Sequence, residues 1–206
     1  MRARFEASFA AYLGRLIIWI VVSIITLGIG AIWVSYDQYK WVIVHSTLGG
    51  RKVAFVGEFT EFLGKLIIWL VVGFITLGLG FFWVAYDMLK WVIEHIEVDG
   101  KQFTFQRSFG SYLGKLVIWI IVSVLTLGIG SIWVIWDSLK WTVEGSSLGL
   151  PVRFVGQGEQ YLIKIIVWLL VSIITLGVGA IWVQYDWYRW VAEQIEVPEE
   201  ALAAAA

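Results

Sequence analysis

The chain contains no cysteine. That removes disulfides, thiolate metal sites and cysteine nucleophiles, and it leaves the compartment open. It also lacks an excess of charge: fifteen lysines and arginines face sixteen aspartates and glutamates, a formal net charge of −1. Without a bulk basic field, no nucleic-acid partner is expected. Catalytic signatures are missing too. There is no His-Glu-x-x-His, no serine elbow and no carboxylate pair placed for glycosidic chemistry. His45 and His95 have no counterparts at the equivalent Gly145 and Gln194, which makes a poor case for metal or haem. No cofactor and no enzymatic activity are expected.

What the sequence does have is apolar residues: 60% of the chain, with a mean hydropathy of +0.82. Soluble domains hold about 45–50%. The excess is more than one water-facing globule can hide, so the expectation is a mainly α, integral membrane fold with transmembrane helices.

Internal recurrence organises the rest. Thr26-Leu27-Gly28-Ile29-Gly30 returns at Thr76 to Gly80, Thr126 to Gly130 and Thr175 to Gly179. Trp19 returns as Trp69, Trp119 and Trp168; Trp33 as Trp83, Trp133 and Trp182; Trp41 as Trp91, Trp141 and Trp190. The spacing is 50, 50 and 49 residues. This divides a single domain, 1–200, into repeats at about 1–50, 51–100, 101–149 and 150–198, with 201–206 read as a disordered tail.

Each repeat reads as helix, turn, shorter helix and polar β-hairpin. Phe9 to Leu27 is the first helix candidate, and Ala31 to about His45 the second. Gly28 and Gly30, with Gly78, Gly80, Gly128, Gly130, Gly177 and Gly179, supply the cap and turn between them. Asp99-Gly100, between Ile96-Glu97-Val98 and Lys101 to Phe105, is a strong hairpin signal. Arg2 to Phe5 matches the second strand of such a hairpin and Ile195 to Val197 the first. Pairing of these two ends would close the repeats into a ring with pseudo-fourfold symmetry; otherwise each end strand pairs with a neighbouring hairpin or frays.

Leu16 to Tyr36 is 21 residues without a charge, enough for one kinked span of about 30 Å. The alternative breaks at Gly28-x-Gly30 and returns as a helical hairpin, which keeps all polar hairpins on one side. Leu16 to Leu27 covers only about 18 Å, so such hairpins enter deeply without crossing a full bilayer. The twelve recurring tryptophans are expected as interface belts, and the basic residues on the hairpin side place that side in the cytoplasm.

One repeated pair of ionisable residues stands out: Asp37 with Lys40, Asp87 with Lys90, Asp137 with Lys140, and Asp186 with Arg189. Positions i and i+3 share a helix face. The pairs either line a polar path through a ring or pin each helix at the interface, the lysine snorkelling to the headgroups.

The run Thr26-Leu27-Gly28-Ile29 followed by Trp33, then Thr47-Leu48-Gly49-Gly50-Arg51 to Phe55-Val56-Gly57, resembles the YjgN-like bacterial inner-membrane family of unknown function. This chain differs in placing Gly30 where that family favours tyrosine and Asp37 in a stretch usually basic. The resemblance implies a bacterial membrane location and no reaction. The expected function is a structural or accessory scaffold whose partners are the lipid bilayer and a membrane protein or further copies of itself. The competing reading is an ion or small-solute conduit lined by the Asp/Lys pairs.

Overall fold

The computed structural model describes residues 1–203, with side chains through residue 201. Four helical hairpins follow one another. They are α1 (Phe9–Ile25) with α2 (Ala31–Val44), α3 (Phe59–Ile75) with α4 (Phe81–Glu94), α5 (Phe109–Leu125) with α6 (Ser131–Glu144), and α7 (Gly158–Ile174) with α8 (Ala180–Glu193). Ser8 and Ser108 cap α1 and α5 by accepting from the backbone N–H three residues on, the usual N-cap bond.

Each first helix stops at a Schellman cap. Gly28 N–H donates to Ser23 O at 2.8 Å and Leu27 N–H to Ile24 O at 3.1 Å, which satisfies the last carbonyls. The left-handed residue is Leu27 (φ 51°), with Gly28 following at φ 92°. Thr26 Oγ1 donates to Val22 O and accepts from Gly30 N–H, both at 2.7 Å. A Cβ on Gly30 would stand 2.5 Å from that hydroxyl and 2.6 Å from Val22 Cγ1. Gly30 is therefore glycine for close approach, not for its dihedrals. The same geometry recurs at Thr76, Thr126 and Thr175.

The strands are β1 (Ala3–Phe5), β2 (Ser46–Leu48), β3 (Arg51–Phe55), β4 (Ile96–Val98), β5 (Lys101–Gln102), β6 (Thr104–Phe105), β7 (Ser146–Ser147), β8 (Arg153–Phe154) and β9 (Ile195–Glu196). All pairs are antiparallel. Asp99 and Gly100 turn at φ 50° and 80°, the two positive dihedrals a tight hairpin needs. The strands run round in a ring. Ser147 bridges Pro151 between β7 and β8, and Arg2 bridges Glu196 next to β1 and β9. The Met1 ammonium donates to Val197 O at 2.7 Å, and Val197 N–H donates to Met1 O at 2.9 Å. Residues near the two ends thus meet, and among the described residues the ring leaves no long open edge.

Beneath the strand ring lies the core. In the first repeat Phe5, Tyr12, Trp19 and Trp41 pack edge-on or tilted at 5.8–6.3 Å between centroids. Each such aromatic pair adds about 0.5–1.5 kcal/mol beyond its area. One more aromatic from the preceding repeat ties neighbours together. Tyr36 donates to Gly57 O, Tyr86 to Arg107 O and Trp136 to Gly156 O. Tyr185 donates to Ala7 O at 2.9 Å, so the last repeat grips the first as the others grip their successors.

Three expectations are corrected. The integral membrane fold with transmembrane helices is overturned: among the described residues no helix is long and apolar enough to cross a membrane. The physical reason is local. The cap at Thr26 ends α1 after 17 residues, and Arg15 charges its middle, so the apolar stretch is about 18 Å against a hydrocarbon core of about 30 Å. The tryptophan belt is also overturned in most of its members. Trp19, Trp41, Trp69, Trp91, Trp119, Trp141, Trp168 and Trp190 are buried in the core. Trp33, Trp83 and Trp182 are half-buried, and Trp133 is exposed. Finally, Glu199–Ala203 forms a short helix, α9; the rest of the tail, 204–206, lies outside the described residues.

Candidate functional site

Three features repeat around the ring: a charged layer, an apolar tip and a shared axial cavity. In the charged layer each aspartate of a second helix meets a basic residue of the first helix, 22 positions earlier. Arg15 Nε donates to Asp37 Oδ2 at 2.7 Å, and its Nη2 donates to Oδ1, a two-pronged grip. Lys65 meets Asp87 at 2.9 Å, Lys115 meets Asp137 at 2.8 Å and Lys164 meets Asp186 at 2.7 Å. The same carboxylates accept from the indole N–H of Trp19, Trp69, Trp119 and Trp168 at 2.7–2.9 Å. This explains why those tryptophans are buried: an indole N–H taken from water needs an acceptor.

The expected Asp/Lys pairs within the second helix are therefore not the pairs formed. Lys40 lies over the Tyr36 ring at 5.8 Å. Lys90, Lys140 and Arg189 turn to Glu94, Glu144 and Glu193 one turn on. Each aspartate is engaged inside its own hairpin. The recurring Arg15, Lys65, Lys115 and Lys164 are the ion-pair partners the spacing rule missed. A basic residue four before the first tryptophan of every repeat was the available signal.

Beyond this layer the hairpins carry no charge for the rest of their height. Leu27, Leu77, Leu127 and Leu176, one at each tip, are 93–94% exposed. All four hold left-handed dihedrals, φ 49–51°. Around them Ile24, Ile25, Ile29, Phe74, Leu125 and Ile174 are also exposed. Scattered exposed leucines need no explanation, but a contiguous apolar end does. Gly28 and Gly30, with their six counterparts, shape these tips.

The cavity lies on the ring axis, under the strands. It measures about 300 Å³ and takes lining from all four repeats: Val42 and Ile43, Ile93, Thr142 and Val143, Val191 and Ala192, with Val53, Phe103 and Val152 from the strand side. Ser46 and Ser146 also touch it, but their hydroxyls donate to Val42 O and Thr142 O. The lining is thus apolar in effect. A sealed void of that size would destabilise the fold by roughly 7 kcal/mol at ~24 cal/mol per Å³. Leu139, Trp187 and Tyr188 also line the space, which is partly open rather than sealed. Near its wall, burial pushes Tyr39 and Tyr188 upward, Tyr39 further so by the neighbouring Tyr188. Burial also pushes Tyr12 and Tyr161 up to about 12.

Among the described residues no cluster of His, Asp and Glu is placed to hold a metal. Comparison with known proteins found no match among curated proteins and none among solved structures. The family comparison did find one, over residues 1–205, to a bacterial protein family of unknown function, DUF898. The chain belongs to that family, the YjgN-like proteins whose repeat motifs it resembles.

Proposed function

We propose that the protein is a non-enzymatic membrane scaffold. It lodges its four hairpin tips in one leaflet of the bacterial inner membrane and turns its strand ring to the cytoplasm, where it packs against a membrane assembly. The observation that carries this reading is the choice of leucine at Leu27, Leu77, Leu127 and Leu176. A left-handed dihedral is unfavourable for leucine by about 1–2 kcal/mol, and glycine would be free of it. Removing a leucine side chain from water returns about 1.5–3 kcal/mol. Leucine is the better residue there only when the tip leaves water.

The height agrees. The apolar part of each hairpin rises about 18 Å above the charged layer, and half a hydrocarbon core is about 15 Å. Lys52 and Lys101 lie on the strands at the opposite end, the side that positive charge keeps cytoplasmic.

Flotation of the full chain with phosphatidylethanolamine–phosphatidylglycerol vesicles tests this. The protein is expected to float, and brominated acyl chains to quench Trp133. The quadruple variant with Leu27, Leu77, Leu127 and Leu176 each changed to Lys should stay in the aqueous fraction, since each lysine costs about 2.5 kcal/mol or more in hydrocarbon. Equal flotation of both proteins would overturn the reading.

A further inference from the structure

The second and third repeats answer the same packing problem differently. In the second, Glu61 fills the space beside Trp91. Its Oε1 accepts from the Trp91 indole N–H at 2.8 Å, and its Oε2 lies 3.1 Å from His95 Nε2. In the third, Ser111 stands in place of Glu61 and Gly145 in place of His95. The Arg107 side chain occupies the vacated histidine position: a Cβ on Gly145 would lie 2.6 Å from Arg107 Cγ. Its guanidinium sits 5.8 Å over the Trp141 ring.

Nothing replaces the carboxylate. Arg107 Nε is buried without a hydrogen-bond partner, and among the described residues the Trp141 indole N–H meets no acceptor. A pocket of about 390 Å³ remains between them, lined also by Ser111, Lys115, Asp137, Lys140 and Glu144. Lys115 is engaged by Asp137 at 2.8 Å and Lys140 lies 4.0 Å from Glu144. One positive charge, that of Arg107, is left over. The buried, unpaired Nε of the Arg107 guanidinium calls for an acceptor. The first and fourth repeats place Ala7 and Gly156 where Arg107 stands, so they lack the cation.

We infer that the third repeat carries a phosphate-binding site, formed by Arg107, Ser111 and the Trp141 indole, which the second repeat closes with its own Glu61. The leftover single charge suits a phosphodiester monoanion, and guanidinium recognises such oxygens through paired donors. The source is a lipid headgroup or a soluble phosphate. The pocket stands at the level of the Lys115–Asp137 pair, at the foot of the apolar zone. It is formed by the protein alone, whether or not the tips enter a membrane.

Titration of the full detergent-solubilised chain with inorganic phosphate and with short-chain phosphatidylglycerol, at constant ionic strength, tests the site. Arg107→Gln should weaken binding about tenfold. Ser111→Glu supplies the missing carboxylate from within; it should abolish binding and raise Tm without any ligand, so lost binding there is not lost folding. Tighter binding of phosphatidylglycerol identifies a headgroup, and tighter binding of inorganic phosphate a soluble anion. The site is overturned if neither ligand binds, or if both variants bind as the starting protein does. A flotation failure with intact phosphate binding would sink the membrane seating and leave this site standing.

Discussion

The two ends of each hairpin are built on opposite rules. At the strand end the repeated polar groups near the core have partners, the third repeat's Arg107 Nε apart: Asp37 takes Arg15 and Trp19, and Tyr36 reaches Gly57 O. Aromatic rings fill the space between. At the tip end the backbone is just as well satisfied, through the Thr26 hydroxyl and the Schellman bonds, but the side chains are left without cover. Leu27 is 93% exposed while Trp19, about 12 Å of helix rise nearer the strands, is 2% exposed. On the proposed reading, the difference separates the part that holds the ring together from the part that enters the membrane. Substitutions at the strand end should change stability; substitutions at the tips should change where the protein goes.

The largest effect on stability is expected at the charged layer. Asp37→Asn leaves Arg15 and the Trp19 indole facing a neutral amide. Breaking a buried pair by one partner is worth about 3–5 kcal/mol; Arg15 keeps 28% of its side chain exposed, so a loss of about 2–3 kcal/mol is expected after that discount. The urea midpoint in detergent reads it, and flotation should not change. A variant that unfolds no earlier but leaves the vesicles would break the division between the two ends.

Gly30→Ala probes the tip fold itself. The added Cβ meets Thr26 Oγ1 and the Val22 side chain at 2.5–2.6 Å, so the Thr26 bridge must open or the helices part. Overpacking of this kind is worth about 1–3 kcal/mol, again read from the urea midpoint. Leu27→Asn should do the reverse. Asparagine tolerates the left-handed dihedral, which relieves up to about 1 kcal/mol, so the midpoint should rise slightly while vesicle affinity falls. A fall in both would mean that Leu27 supports the fold and not the seating.

How legible this was in the sequence depends on distance along the chain. The repeats, both helices, the glycine turn and the Asp99-Gly100 hairpin follow from local chemistry recurring at fixed spacing. The partner of Asp37 does not. Lys40 is near in sequence and on the right face, whereas Arg15 comes within reach only once the turn at Gly28-x-Gly30 brings α1 and α2 side by side. The tryptophans misled for a related reason. An indole suits an interface or a core equally well, and only the strand ring above Trp41 and the carboxylate beside Trp19 decide for the core. Hydropathy likewise reports how much apolar surface there is, not whether it is one leaflet deep or two. Arg107 gave no signal at all, because it departs from the repeat and its meaning rests on the empty place left by Ser111.

The smallest effect is a matter of pH, and it asks whether the strand end is as sealed as its packing implies. Burial raises the Tyr12 phenol from 10.0 to about 12 and does the same for Tyr161. A raised pKa means the fold favours the neutral phenol. That stabilisation is whole below pH 10 and drains away as pH climbs from about 10 to about 12. The second repeat already carries Phe62 at this position. Tyr12→Phe gives up the 2.9 Å bond to Gln184, about 1 kcal/mol at neutral pH, and should flatten the alkaline fall in Tm. Tyr161→Phe should flatten it as well. An unchanged alkaline slope in the double variant would show that water reaches these phenols, and that the strand end is less closed than the tips are bare.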